Sequence, residues 1–192
     1  MRVGIAGYGV VGKTRHKSLE VNTSYKVTAI SESSVEARKS IPKGIDVFND
    51  YKSLIADAKI DIVFISLPNQ FAAEASYLSL QKGLHVFCEK PPARTHAELL
   101  AVKEQSLKSP NLKLMYGFNH RFHLSVEEAK SIIDSNSLGR IINMKGVYGK
   151  SQMISFNQTD WRTSREAAGG GILLDQGIHM LDLIRYLSGE SF

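Results

Sequence analysis

Four groups of residues in this chain combine type and spacing in ways that could do chemistry. Near the C-terminus, Asp175, His179 and Asp182 stand at i, i+4 and i+7. On a helix of period 3.6 they share one stripe. The helix expected over 172–187 is otherwise apolar on nearly every side, and charged groups there are costly without partners. A histidine beside an aspartate can be held in one tautomer and act as a general base near neutral pH. The same residues also suit a satisfied polar network, or a metal shared one turn apart. The H-E-x-x-H pattern is absent and the chain has one cysteine, so no metal is expected. The second group is Cys88-Glu89-Lys90-Pro91-Pro92. A lysine just past an apolar strand, pinned by two prolines, could hydrogen-bond a substrate hydroxyl and stabilise its alkoxide. A strand-exit lysine in water is the plainer alternative, and Lys90-Pro91 is a candidate cis bond.

The third group is the opening run Val3 to Gly12, which reads as a buried strand, a glycine loop and a helix start. Gly7, Gly9 and Gly12 fit G-x-G-x-x-G, with Tyr8, Val10 and Val11 between them. Gly7 allows the tight turn, Gly9 lets a pyrophosphate approach, and Gly12 lets helix and strand pack closely. The helix amides and dipole would hold the phosphates. Glu32 lies about 20 residues beyond Gly12, the distance of a ribose-binding acid. Its carboxylate favours NAD over NADP. Ser33, Ser34 or Arg38 could still reach a 2′-phosphate, so NADP is the alternative. The fourth group is scattered. Ser66, Pro68 and Asn69 sit at a strand exit that could wall the nicotinamide side. Trp161 and Arg162 pair an aromatic ring with a guanidinium, which suits a sugar or an anion.

The elements that must position these residues follow from the pattern. Strands are expected over 3–6, 26–30, 61–66, 85–88 and 112–117. Helices are expected over 10–20, 35–40, 51–58, 70–81 and 95–107. Short apolar strands alternating with helices mean an α/β fold, a doubly wound parallel sheet with ligand at the carboxyl strand ends. Thr95 and Glu98 form a capping box, and Gly83 stops the helix before it. The texture changes after Phe118: a helix over 125–135, a strand over 140–150, a polar stretch to 166, then the last helix. The two domains expected are 1–118 and 119–192.

Composition bounds the reading. The 192 residues carry a net charge of +5 with the basic residues scattered, apart from Lys13 to Lys17, which is either a phosphate aid or a solvated helix face. No nucleic-acid motif accompanies them. Cys88 alone forms no internal disulfide. No leader and no bilayer-length apolar run is seen, so a cytoplasmic protein is expected. His16, His85, His96, His120 and His123 read as structural or surface groups.

Taken together, these pieces resemble the glucose–fructose oxidoreductase / inositol dehydrogenase / MocA (Gfo/Idh/MocA) family of NAD(P)-dependent oxidoreductases. The matching stretches are the Gly7–Gly12 loop, Pro68-Asn69, Gly83 to Pro91, Gly117 to Phe122, and Gly169 to His179. The resemblance implies a Rossmann domain followed by the start of an α+β open-sheet domain. It implies Lys90, Asp175 and His179 as the catalytic set. His179 would take the hydroxyl proton as hydride leaves the same carbon, Lys90 would polarise that oxygen, and Asp175 would orient the group. Glu89 and Lys90 would join the NAD site, and Asn119 and Arg121 the substrate site. Sugars, cyclitols or sugar nucleotides are the implied substrates, and a homo-oligomer the implied full-length form. Two other readings are a non-catalytic dinucleotide-binding module and an NAD-dependent glycoside-cleaving relative. Ala72 stands where the family commonly has histidine, and Leu124 where it often has proline. The family's second domain usually continues for well over 100 further residues, so a fragment or truncated product is expected.

Overall fold

The computed structural model describes residues 1–149 and 161–191. Its described residues fall into two units. One is Met1–Gly117 with Glu166–Gly169; the other comprises the described parts of Phe118–Arg165 and Gly170–Phe192.

The first unit is a six-stranded sheet built from β1 (Arg2–Ala6), β2 (Lys26–Ser31), β3 (Asp46–Phe48), β4 (Ile62–Ile65), β5 (His85–Cys88) and β6 (Leu114–Tyr116). Its order is β3-β2-β1-β4-β5-β6, and every pairing is parallel. The helices between strands are α1 (Val10–Glu20), α2 (Val35–Arg38), α3 (Tyr51–Asp57), α4 (Asn69–Gln81) and α5 (His96–Lys108). Strand alternation sorts the apolar side chains into two clusters. Val3, Ile5 and Ile30 pack with Leu19 and Tyr8, while Ala6, Val63, Ile65 and Val86 pack with Leu54, Leu80 and Val102. The sheet is thus buried on both sides, as a parallel sheet must be. β1 lies where the strand order reverses, so the carboxyl ends of β1, β2, β4 and β5 surround the crevice that binds ligands in such sheets.

Two side chains tie Glu166–Gly169 to this unit. Asn69 Nδ2 donates to the Ala168 carbonyl at 2.8 Å, and Arg94 Nη1 donates to the Glu166 carbonyl at 2.7 Å. The segment includes most of α7 (Arg165–Ala168). Arg94 is itself held by Glu98, whose carboxylate also accepts from the Arg94 amide at 2.9 Å. Thr95 caps α5 through the Glu98 amide as expected. The return half of the capping box is replaced by the bond to Arg94.

The second unit contains a 3₁₀ turn (Asn119–Phe122), α6 (Leu124–Asp134), a second 3₁₀ turn (Trp161–Thr163), a π-helical turn (Leu173–Gly177) and α8 (Ile178–Ser188). Three expectations change. β3 was not legible, being an edge strand of three residues. The strand expected over 140–150 is not formed in 140–149, where no ladder joins it to another strand among the described residues; Gly146 and Gly149 interrupt its alternation, and Lys150 lies outside the described residues. The helix expected over 172–187 is two elements, a π turn followed by α8. No helix among the described residues is long and apolar enough to cross a membrane.

Candidate active site

The glycine loop is shaped by three different constraints. Gly7 turns the chain with φ +88°, a conformation that side chains with a Cβ resist. A Cβ there would also lie 2.6 Å from the Ser66 carbonyl oxygen. A Cβ on Gly12 would lie 2.1 Å from the Gly7 carbonyl oxygen, so α1 and the loop touch with no space between. Gly9, the N-cap of α1, has nothing within 4 Å of its Cβ direction and offers no side-chain cap. The first amides of α1 have no intrahelical acceptors by position. Loop and helix end therefore fit a pyrophosphate: an open face over Gly9, free donors, and the positive end of a dipole. Val10 is 84% exposed at the same place.

Tyr8 was expected in the nucleotide set as a residue of this loop. The ring is buried in the core, and its hydroxyl is 2.7 Å from Nδ1 of the buried His16. Burial first, then the Glu20 carboxylate, raises the pKa of this phenol. The Tyr8 amide faces the other way and donates to Glu32 Oε2 at 3.0 Å. Glu32, just past β2, also accepts from the Ser34 amide through Oε1 at 2.9 Å. Two oxygens with about four lone-pair sites leave it able to accept further hydroxyls. Arg38 is held beside this loop by the Ser33 carbonyl and by Asn49.

The ends of β4 and β5 complete this edge. The Ser66 amide bonds to the Ala6 carbonyl at 2.8 Å, and its buried hydroxyl has no hydrogen-bond partner among the described residues. Pro68 is the N-cap of α4. Asn69, expected at the strand exit that walls the nicotinamide side, donates its side-chain amide to the Ala168 carbonyl. Lys90, half-buried, follows β5 through Glu89, and the Lys90–Pro91 bond is cis. Glu89 is paired with Arg15 of α1. Of the basic run 13–17, then, Arg15 serves Glu89 and His16 serves Tyr8. The Cys88 thiol is fully enclosed, and burial pushes its pKa up to about 12.

In the second unit His179 is 5% exposed, and rings surround it. The His120 imidazole stacks on it at 4.1 Å between centroids and 14° between planes. Tyr148 is near-parallel at 6.0 Å, and Phe118 is edge-on at 6.3 Å. Asp175 sits in the π turn, a feature that recurs at functional sites, and accepts from Gln176 Nε2 at 2.7 Å. Asp182 is held by Arg121. It accepts from Arg121 Nε at 2.8 Å and from Nη2 as well. Arg121 was expected on the substrate, but its guanidinium is committed to Asp182 and lies over the Tyr186 ring at 5.1 Å. Asn119 is exposed, and Arg162 lies 4.5 Å over the half-buried Trp161 ring.

The sequence reading took His120 for a structural or surface group and gave Tyr148 no part in a site. Their only signal was that His120 falls within Gly117 to Phe122, a stretch that carries the resemblance. No group of three His, Cys, Asp or Glu among the described residues could hold a metal ion.

Comparison with known proteins agrees with both units. Residues 1–118 match the family described as "Oxidoreductase family, NAD-binding Rossmann fold", and residues 126–192 match the GFO/IDH/MocA C-terminal domain. Levoglucosan dehydrogenase of Pseudarthrobacter phenanthrenivorans is 31% identical over 202 residues, covering 99% of this chain and 52% of the relative. The D-glucoside 3-dehydrogenase of Escherichia coli is 30% identical over 195 residues, covering 98% and 54%. Among solved structures, levoglucosan dehydrogenase in complex with NADH and levoglucosan superposes with a TM-score of 0.83 at 28% identity, covering 99% of this chain and 54% of that one. The chain spans about half the length of the relatives it matches. It belongs to the GFO/IDH/MocA oxidoreductase family, with an NAD-binding Rossmann fold over residues 1–118.

Proposed function

We propose that this chain serves an NAD-dependent dehydrogenase acting on a secondary alcohol or ketone of a sugar, cyclitol or sugar nucleotide. The observation that carries this is the glycine loop: closed at Gly7 and Gly12, open at Gly9, with the Glu32 carboxylate hydrogen-bonded to its Tyr8 amide. Residues 1–118 are the nucleotide domain, and 119–192 belong to the substrate domain. When bound, NAD supplies the hydride acceptor. The amides of Val10, Val11 and Gly12 hold its phosphates. Glu32 accepts the ribose hydroxyls and disfavours a 2′-phosphate. Ser66, Pro68 and Glu89 line the strand ends beyond β1. Kinship with relatives named as sugar and cyclitol dehydrogenases supports the substrate class.

His179 is the general base that takes the hydroxyl proton. The stacked His120 and Tyr148 rings fix its plane, and Gln176 orients Asp175. Lys90 donates to the same oxygen and stabilises the alkoxide. Asn119, Trp161 and Arg162 supply contacts to the rest of the sugar. The whole protein works as a cytoplasmic homo-oligomer; Ile172 and Leu173, exposed by 69% and 70%, are apolar surface suited to an interface.

The test is NADH formation with a panel of levoglucosan, myo-inositol and methyl glucoside. Lys90→Ala and His179→Ala each abolish turnover while NAD affinity stays within about twofold. Equal loss of NAD binding contradicts these roles. NAD binding without hydride transfer from any panel member would favour a binding module.

A further inference from the structure

The end of β5 carries a charge pair that the proton and hydride steps do not use. Glu89 Oε1 accepts from Arg15 Nε at 2.6 Å and lies 2.5 Å from Arg15 Nη2. The two side chains are 17% and 26% exposed. The Arg15 guanidinium also lies over the Phe87 ring, 5.2 Å from its centroid. A Cβ on Gly117 would meet Glu89 Oε2 at 2.7 Å, so the carboxylate is confined on that side too. Arg15 belongs to α1, the helix that opens at the glycine loop, and Glu89 adjoins Lys90. One ion pair thus joins the phosphate-binding helix to the lysine corner.

Sheet order says which half of a dinucleotide meets this pair. Glu32 at the end of β2 marks the adenosine side of β1. The other half then lies over the ends of β4 and β5. A nicotinamide ring carries a positive charge when oxidised and none when reduced. A poorly solvated carboxylate left alone beside it would favour the oxidised form, and a lone guanidinium would favour the reduced form. We infer that the Arg15–Glu89 pair sets the relative affinity of the site for NAD⁺ and NADH. Arg15 acts here as a positioning residue, holding and neutralising Glu89. The inference rests on the nucleotide site proposed above.

The test is calorimetric titration of the whole chain with NAD⁺, NADH and ADP-ribose in the wild type, Arg15→Gln, Glu89→Gln and the double variant. Arg15→Gln is expected to shift the affinity ratio toward NAD⁺ by roughly threefold to tenfold. Glu89→Gln shifts it toward NADH, and the double variant returns to the wild-type ratio. ADP-ribose, which lacks nicotinamide, binds all four equally and reports an intact fold. A tenfold change in the ratio moves the potential of the bound couple by about 30 mV, and tighter NAD⁺ makes the couple harder to reduce. An unmoved ratio with normal ADP-ribose binding overturns the charge-pair inference and leaves the nucleotide site standing. Parallel loss of all three ligands in a variant makes the pair a mere strut and also overturns it. If the wild type binds none of the three, the nucleotide site itself falls, and this inference with it.

Discussion

The two units build their sites from different materials. In the first, the nucleotide edge is mainly backbone: a left-handed glycine, an open N-cap and the first amides of α1, with Glu32 as the main side chain. In the second, the candidate base is placed by side chains: His179 between His120, Tyr148 and Phe118 on segments distant in sequence. A backbone site depends on what cannot be present, namely a Cβ. A stacked side-chain site depends on what must be present. The first should therefore break all at once, and the second by degrees.

Gly12→Ala should have the largest effect. Its Cβ would sit 2.1 Å from the Gly7 carbonyl oxygen, with backbone as the obstacle. Loss of NAD binding in calorimetry, together with a lower melting temperature, is expected; normal affinity would show that the loop can yield. On the other side of the comparison, Arg121→Ala strands Asp182, whose side chain is 9% exposed. Urea unfolding should show a loss of roughly 1–3 kcal/mol. His120→Ala removes the ring stacked on His179, while His120→Phe keeps a ring there. Turnover should fall about tenfold in the first and recover most of that in the second, with NAD affinity unchanged in both. Equal damage from both would mean that the His120 nitrogens, and not its face, matter.

Smaller effects lie away from both sites. The Asp61 carboxyl is lowered to about 2, first by the side-chain hydrogen bond from Arg2 and then by the Arg2 amide. A depressed carboxyl contributes stability above the ordinary carboxylate range near pH 4 and loses it as pH falls toward 2. Asp61→Asn should flatten the stability profile in that window only. The change should be small, because the pair is exposed and screened. Cys88, with its thiol pushed up to about 12 by burial, should resist alkylation at pH 8 until the chain unfolds. Labelling of the folded protein would contradict its enclosure.

How much was legible follows the same division. Gly7, Gly9, Gly12 and Glu32 could be read because their spacing along the chain is fixed by a local turn and one strand–helix–strand unit. Five of the six strands were legible from apolar runs; β3 was not, because an edge strand of three residues carries little pattern. Arg15 and His16 were read as phosphate-side or solvated groups, since nothing local reveals that Glu89 and Tyr8 come to meet them. Asn69 was expected at a ligand from its place at a strand exit and Arg121 from the resemblance; their partners Ala168 and Asp182 lie far along the chain and left no local signal. His120 lies 59 residues before His179, a separation no periodicity can encode.

The central claim is that a nucleotide lies over the open glycine of the first loop. Titration of NAD into the wild type and into Gly9→Ala tests it most directly, because that substitution meets no atom within 4 Å. The account predicts an unchanged melting temperature and an NAD affinity at least about tenfold weaker. Equal affinity in the two proteins would contradict it.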